Sequence, residues 1–377
     1  MLRRGVAGVS GLFLALTATL MFAAPARADS VRDQQWFLSS LHVLDANRVS
    51  KGEGITVALI DTGVSASHPD LVGNVLPGAV TYVGTGRSGD AWHDPNGHGT
   101  GMAGNIAAHG HGLDAGALGI ASAAKILPIA DAGDGGRTND AAMTASIKYA
   151  IERRVQVICL AEGGGGGTPD LATAVRAAED ANIVVVAAVG NRSQGSLVVD
   201  APADLPGVLS VGSVDQNGNH AADSVTGSAV VLSAPGVDIV HPAPGGGYSA
   251  GTGTSDATSI TAGAVALVRA KYPNLSAAEV IHRLTATATD KGPPGRDDEY
   301  GYGVINIVAA LTVNVPPLSA SASPAPSASD QKPGSGSPRA QQQGTKTSLL
   351  AIVIPVGAVL VVLLGFLGWR AARRRTP

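Results

Sequence analysis

Three side chains in this sequence could together activate a hydroxyl: Asp61, His98 and Ser255. Asp61 sits in VALIDTGV (57–64), His98 in NGHGT (96–100) and Ser255 in GTGTSDATS (251–259). A serine hydroxyl is a weak nucleophile and needs a base beside it. An imidazole can take its proton, and a carboxylate can hold that imidazole in the right tautomer and stabilise the imidazolium. Each residue type is common, and each has a plainer role available: Ser255 as a helix cap, His98 as a neighbour of one. All three together, in the order Asp, His, Ser and with glycines nearby, make a joint signal. That order is one of three unrelated chain orders in which this constellation is built. The chemistry it points to is acyl transfer through a covalent serine intermediate.

A fourth residue fits the same reaction. Asn191 follows VVVAAVG, at the end of an apolar run. Its side-chain amide can donate to a tetrahedral oxyanion together with the Ser255 N–H, and such a donor is worth about 10²–10³ in turnover. A turn asparagine is the alternative at this position. No G-x-S-x-G elbow surrounds Ser255, which disfavours a lipase or esterase.

These residues need elements to hold them. ITVALID (55–61) is a buried-strand run that ends at Asp61. AKILPIA (124–130), VQVICLA (155–161), IVVVAAVGN (183–191) and VLSVGSV (208–214) read as further strands. Helices are expected from His98 to about Ala108, over 140–154, 171–181 and 276–288, and from Ser255 to about Lys271. Short apolar strands alternating with helices predict an α/β fold, a mostly parallel sheet with helices on both faces. Ligands in such sheets bind beyond the carboxyl ends of the strands. Asp61, Glu162 and Asn191 all lie at such ends.

Composition fits this plan. The chain has 377 residues, 45% hydrophobic but 3% aromatic, with 50 glycines, so the core is aliphatic under many tight loops. A formal charge of −3 gives no long-range attraction to nucleic acid, and no nucleic-acid partner is expected. The single cysteine, Cys159, lies in an apolar run and reads as a buried, inert thiol. The glycine run 163–167 has no Lys-Ser/Thr after it and is no phosphate loop. His109 and His111, two apart in a glycine loop, read as solvated rather than metal-binding. No cofactor is called for, and no metal ligand is assigned.

The two ends are not part of the folded body. Residues 1–28 carry Arg3 and Arg4, an apolar stretch and Ala26-Arg27-Ala28, the pattern of a cleaved signal peptide. The expected folded body spans 29–314. Residues 315–346 are rich in Ser, Pro, Ala, Gly and Gln and read as a linker. The segment 347–369 reads as one transmembrane helix. Its 21 residues from Leu349 to Trp369 carry no charge, and at ~1.5 Å per residue they reach ~30 Å, a bilayer's hydrocarbon thickness. Residues 370–377 hold Arg370, Arg373, Arg374 and Arg375, which places that tail in the cytoplasm and the body outside.

The motifs resemble those of subtilisin-family serine peptidases, in order and over nearly all of 50–312. VALIDTGVSASHPDL, GHGTGMAGNIAA, VVVAAVGN, LSAPGVDI, GTGTSDATS and EYGYGVINIVAAL carry the resemblance. It implies the subtilisin α/β fold and a peptide-bond hydrolase. It also implies that Gly135, Gly136, Ala161, Glu162 and Gly163 bind substrate backbone as flanking strands. Ala188 and Gly190 would line the pocket for the side chain before the cut. Relatives of this kind often bind structural calcium, but no carboxylate run here is dense enough to place a site.

The whole layout is similar to mycosins, membrane-anchored subtilisin relatives associated with type VII secretion. Mycosins carry disulfides, which one cysteine cannot make within this chain. Two more departures concern the motif itself. Asp256 stands after Ser255 where the family has an apolar residue, and Ser259 stands where it has proline. They leave a second reading open: a tethered scaffold of a secretion complex that has lost most activity. The 26 residues between Asp29 and Ile55 are too few for a folded propeptide domain.

Overall fold

The computed structural model describes residues 30–82, 88–112, 115–132, 138–162 and 166–318. All of these fall in one compact unit ending at Ala320. The expected signal peptide, most of the linker and the expected membrane span lie outside the described residues. Among the described residues no helix is long and apolar enough to cross a membrane.

The chain enters through three short helices, α1 (Ser30–Gln34), α2 (Trp36–Ser40) and α3 (Val43–Asn47). They are built into the body. Phe37, Leu38, Leu41, Val43 and Ala46 are buried in the main core. Gln35 Nε2 donates to the carbonyls of Leu118 and Val240, and Trp36 Nε1 to that of Val237.

Strand β1 (Thr56–Asp61) follows, then β2 (Ala79–Val80), helix α4 (His98–Ala107), a small antiparallel pair β3 (His109–His111) and β4 (Ala115–Leu118), and β5 (Lys125–Ala130). Helix α5 (Asp140–Glu152), β6 (Val157–Leu160), α6 (Pro169–Asp180), β7 (Val184–Ala188), β8 (Leu209–Val214) and β9 (Leu232–Pro235) continue the alternation. A hairpin, β10 (Ile239–Ala243) and β11 (Gly247–Gly251), leads into α7 (Thr254–Lys271), α8 (Ala277–Ala286) and α9 (Ile307–Thr312).

Seven strands form one sheet in the order β2-β5-β1-β6-β7-β8-β9, and every pairing in it is parallel. Side chains alternate between its faces, as the pleat requires. Val57, Leu59, Val157, Cys159, Val184 and Val186 pack on the side of α4 and α7. Ala58, Ile60, Ile158, Leu160, Val185 and Ala187 pack on the side of α5 and α6. Both faces are therefore covered, which is why the strands read as continuous apolar runs.

The predicted elements appear within a few residues of their expected ends. The hairpin β10–β11, the short α1–α3 and strand β9 carry too little periodicity to be read beforehand. Cys159 is fully buried, and burial pushes its thiol well up, so the inert reading holds. His109 and His111 do more than face solvent: His109 Nε2 is 2.9 Å from the Val72 carbonyl, and His111 Nδ1 is 2.6 Å from Oδ1 of the buried Asp70.

Candidate active site

Asp61 is the last residue of β1 and only 1% exposed. Oδ1 of its carboxylate accepts the Thr62 N–H at 2.7 Å and lies 2.8 Å from His98 Nδ1, with Oδ2 at 3.0 Å from the same nitrogen. A carboxylate can only accept, so Nδ1 carries the proton and Nε2 is left facing the cleft. The buried Asp61 is thereby given the donors that make its burial tolerable.

His98 is the first residue of α4, and its loop is held by Asp94, a residue the motif reading passed over. Asp94 Oδ1 accepts from Thr62 Oγ1 at 2.7 Å and from the Gly97 N–H at 2.8 Å. Its Oδ2 accepts from the N–H and the hydroxyl of Thr100 at 2.8 and 2.6 Å. An acid just before a helix start, taking its free N–H groups, is the local signal that could have marked it. Thr62 Oγ1 in turn accepts the Gly99 N–H at 3.0 Å, tying the end of β1 to the start of α4.

Ser255 is the second residue of α7, one position inside the helix rather than at its start, and 8% exposed. Asn191 lies beside it. Oδ1 of Asn191 accepts the Thr254 N–H at 3.0 Å, so the other end of the amide, the Nδ2 donor, is turned away from that bond. Gly253 stands between them: a Cβ there would come 3.4 Å from Asn191 Nδ2. His98, Asn191 and Ser255 line one cavity of about 460 Å³.

Electrostatics around His98 favour its charged form. Burial lowers its pKa, but the Asp61 carboxylate, with smaller contributions from Asp256 and Asp94, outweighs this and raises it to about 9. Two more acids crowd the dyad. Burial first, then the carboxylates of Asp61, Asp131 and Asp94, push Glu162 up to about 11. Burial, with Asp61, raises Asp131 to about 7. Glu162 Oε2 and Asp131 Oδ1 are buried with no hydrogen-bond partner among the described residues. Ligand atoms of Asp61, His98 and Glu162 fall within 4.8 Å of one another, the one such grouping among the described residues. His98 Nδ1 is already engaged by Asp61 there.

Of the residues implied to bind substrate, Ala161 and Ala188 are buried at the ends of β6 and β7, and Gly190 has φ +97° in the turn before Asn191. Gly135, Gly136 and Gly163 lie outside the described residues.

The sequence profile of the Subtilase family matches residues 52–303. The chain belongs to the subtilase family. It is 39% identical to subtilisin DY of Bacillus licheniformis over 265 residues, 69% of this chain and 92% of that one. It is 36% identical to a thermostable alkaline protease of Halalkalibacterium halodurans over 272 residues, 72% of each chain. Subtilisin Savinase of Lederbergia lenta is 36% identical over 276 residues, 73% of this chain and 97% of that one. This subtilase is a serine endopeptidase with the subtilisin-like α/β fold.

Asp256 and Ser259, the two positions that stand apart from the expected motif, meet in the fold. Asn105 of α4 gives one amide hydrogen to Asp256 Oδ1 at 3.0 Å and the other to Ser259 Oγ at 3.1 Å. Ser259 Oγ donates to the Asp256 carbonyl at 2.8 Å. Burial raises the Asp256 carboxyl, against the pull of His241, His98 and Asn105. Asn105 is a partner that sequence reading missed, since nothing local links positions 105 and 256.

Proposed function

We propose that this endopeptidase works through Asp61, His98 and Ser255, with Asn191 as an oxyanion donor. The observation that carries the reading is the His98–Asp61 contact of 2.8 Å, with His98 lining one cavity together with Ser255 and Asn191. Neutral His98 takes the Ser255 proton at Nε2 as Oγ attacks the scissile carbonyl, and Asp61 stays ionised beside the imidazolium. The Asn191 amide and the Ser255 N–H hold the developing oxyanion at the positive end of α7. His98 then gives its proton to the leaving amine, and water repeats the sequence on the acyl-enzyme. Ala161, Glu162 and Gly163 on one side, and Gly135 and Gly136 on the other, pair with substrate backbone, while Ala188 and Gly190 receive the side chain before the cut. A fluorophosphonate probe tests this. Label should map to Ser255, and Ser255→Ala should lose both labelling and peptide hydrolysis with an unchanged melting temperature. Undiminished turnover in a pure Ser255→Ala preparation rejects it.

We further propose that the body stands outside the cell, tethered by 347–369, and serves a mycosin-like role beside type VII secretion. The supports are the signal-peptide pattern at 1–28, the uncharged 349–369 with arginines after it, and the Pro/Ser-rich 315–346. External protease on intact cells should shed a fragment ending within 315–346. A body protected until lysis refutes the topology. Structural calcium remains a proposal without a site. The weakened-scaffold reading draws on one observation, a buried carboxyl at Asp256 next to the nucleophile. The same probe separates it from an active enzyme.

A further inference from the structure

Asp61 and Asn191 stand at or beyond the carboxyl ends of β1 and β7. A second cavity, of about 290 Å³, lies at the opposite edge of the sheet. Ile55, Gln156 and Ile183 line it, and each directly precedes a strand, β1, β6 and β7 in turn. The six residues of β1 at ~3.3 Å each put about 20 Å between the two edges. Hydrolysis makes no use of this second cavity.

Arg269 of α7 lines it and is only 4% exposed. Its Nη1 donates to the Leu275 carbonyl at 2.8 Å, and its Nη2 to the Asn182 carbonyl at 2.6 Å. Nε is buried with no acceptor among the described residues. Burial pushes this guanidinium down from its ordinary value, and no acid opposes the push. The carbonyls accept hydrogen bonds but leave the formal charge in place. Buried charges are ordinarily paired.

A second guanidinium borders the same space. Arg154 lines the cavity, is exposed, and makes no side-chain hydrogen bond or ion pair among the described residues. Asn182 lines it as well. Its Oδ1 accepts the Ala277 N–H at 2.6 Å, and its amide hydrogens have no acceptor among the described residues. No aspartate or glutamate among the described residues lines the cavity. Ile55, Ile151, Val155, Ile183 and Pro273 give it aliphatic walls. Two cations and an unmatched amide beside aliphatic walls suit an anionic head on an apolar body. Drug-sized ligands need about 300–1,000 Å³, so the body must be small.

We propose that this cavity binds a small carboxylate carried on a branched apolar group, with Arg154 and the Asn182 amide as direct donors and Arg269 as the buried counter-charge. A guanidinium offers paired N–H groups that match a carboxylate's two oxygens. Inorganic phosphate would meet the charge but leave the aliphatic walls unmatched. A short-chain acid and the C-terminus of an apolar peptide share the required chemistry. The proposal does not depend on which residue is the nucleophile.

The test is calorimetry on the full-length protein with four titrants: 4-methylpentanoate, N-acetyl-leucine, N-acetyl-leucinamide and inorganic phosphate. Both acids should bind, and the tighter of the two tells a free acid from a peptide terminus. The amide and phosphate should bind at least about 10-fold more weakly, the low end for a charge-assisted hydrogen bond. Arg154→Gln should weaken both acids by about the same factor, and Arg154→Lys should restore part of the loss. Fluorophosphonate labelling should proceed at the same rate with either acid saturating, because the cavity is a strand's length from the cleft. Absence of binding by both acids overturns the proposal. So does an amide or phosphate that binds as tightly as the acids. Acid affinity that survives Arg154→Gln, or labelling slowed by the acids, places them elsewhere and overturns it too.

Discussion

The Asn105 amide donates to the Asp256 carboxylate at 3.0 Å, joining the two helices that carry His98 and Ser255. The other hydrogen of the same amide goes to Ser259 at 3.1 Å. Asp256 and Ser259 therefore belong to one network, and Asn105 is its centre. Truncating Asn105 leaves a buried carboxyl and a buried hydroxyl each short of a donor. Such a loss costs about 1–3 kcal/mol. Asn105→Ala should accordingly melt lower by about 2–4 °C per kcal/mol lost. A melting temperature within error of the parent would show that the network carries no stability.

Asp256 also bears on the base. It contributes to holding His98 at about 9, after Asp61. A base acts only when neutral, so the acid limb of the kcat/KM profile should lie above the ordinary histidine value near 6.5. Asp256→Met removes an anion, lowers the His98 pKa and should move that limb to lower pH, with higher activity at neutral pH. The same raised pKa has a stability consequence. Its contribution is fully present below about pH 6.5 and is lost as pH rises through about 9. The melting difference between the parent and His98→Ala should fade over that window. An acid limb that stays in place in Asp256→Met, with a lowered melting point, would assign Asp256 to helix packing alone.

Asn191 should act on chemistry and not on binding. Its Oδ1 is occupied by the Thr254 N–H, which leaves the donor end of the amide for the proposed oxyanion. Asn191→Ala should lower kcat by about 10²–10³ with little change in KM. A loss expressed mainly in KM would give Asn191 a role in substrate binding instead.

Glu162 should cost stability at neutral pH. Its folded pKa is raised, first by burial and then by Asp61, Asp131 and Asp94. A raised carboxyl favours the folded state below its unfolded value of about 4.3 and works against it as pH climbs from there toward the folded pKa. Glu162→Gln keeps the shape and removes the titration. The variant should melt higher than the parent at pH 8, and the gap should narrow toward pH 4. A constant gap across that range would mean that Glu162 is not perturbed as the geometry implies.

What the sequence by itself determined is whatever a short window can encode. Continuous apolar runs such as VALID and VVVAA specify strands buried on both faces, because a two-residue pleat with both faces covered leaves no polar side. Asp61 at a strand end, His98 at a helix start and Ser255 in the first turn of another helix follow from the same local reading. The tertiary structure alone decided which distant groups share a space. Nothing near Asn105 announces Asp256, nothing near His241 announces the cleft, and nothing in LAEGG shows Glu162 within 4.8 Å of Asp61 and His98. The physical reason is that periodicity and capping act over a few residues, whereas pKa and pocket chemistry depend on through-space distance. Those distances were set only when α4, α7 and the β10–β11 hairpin packed together.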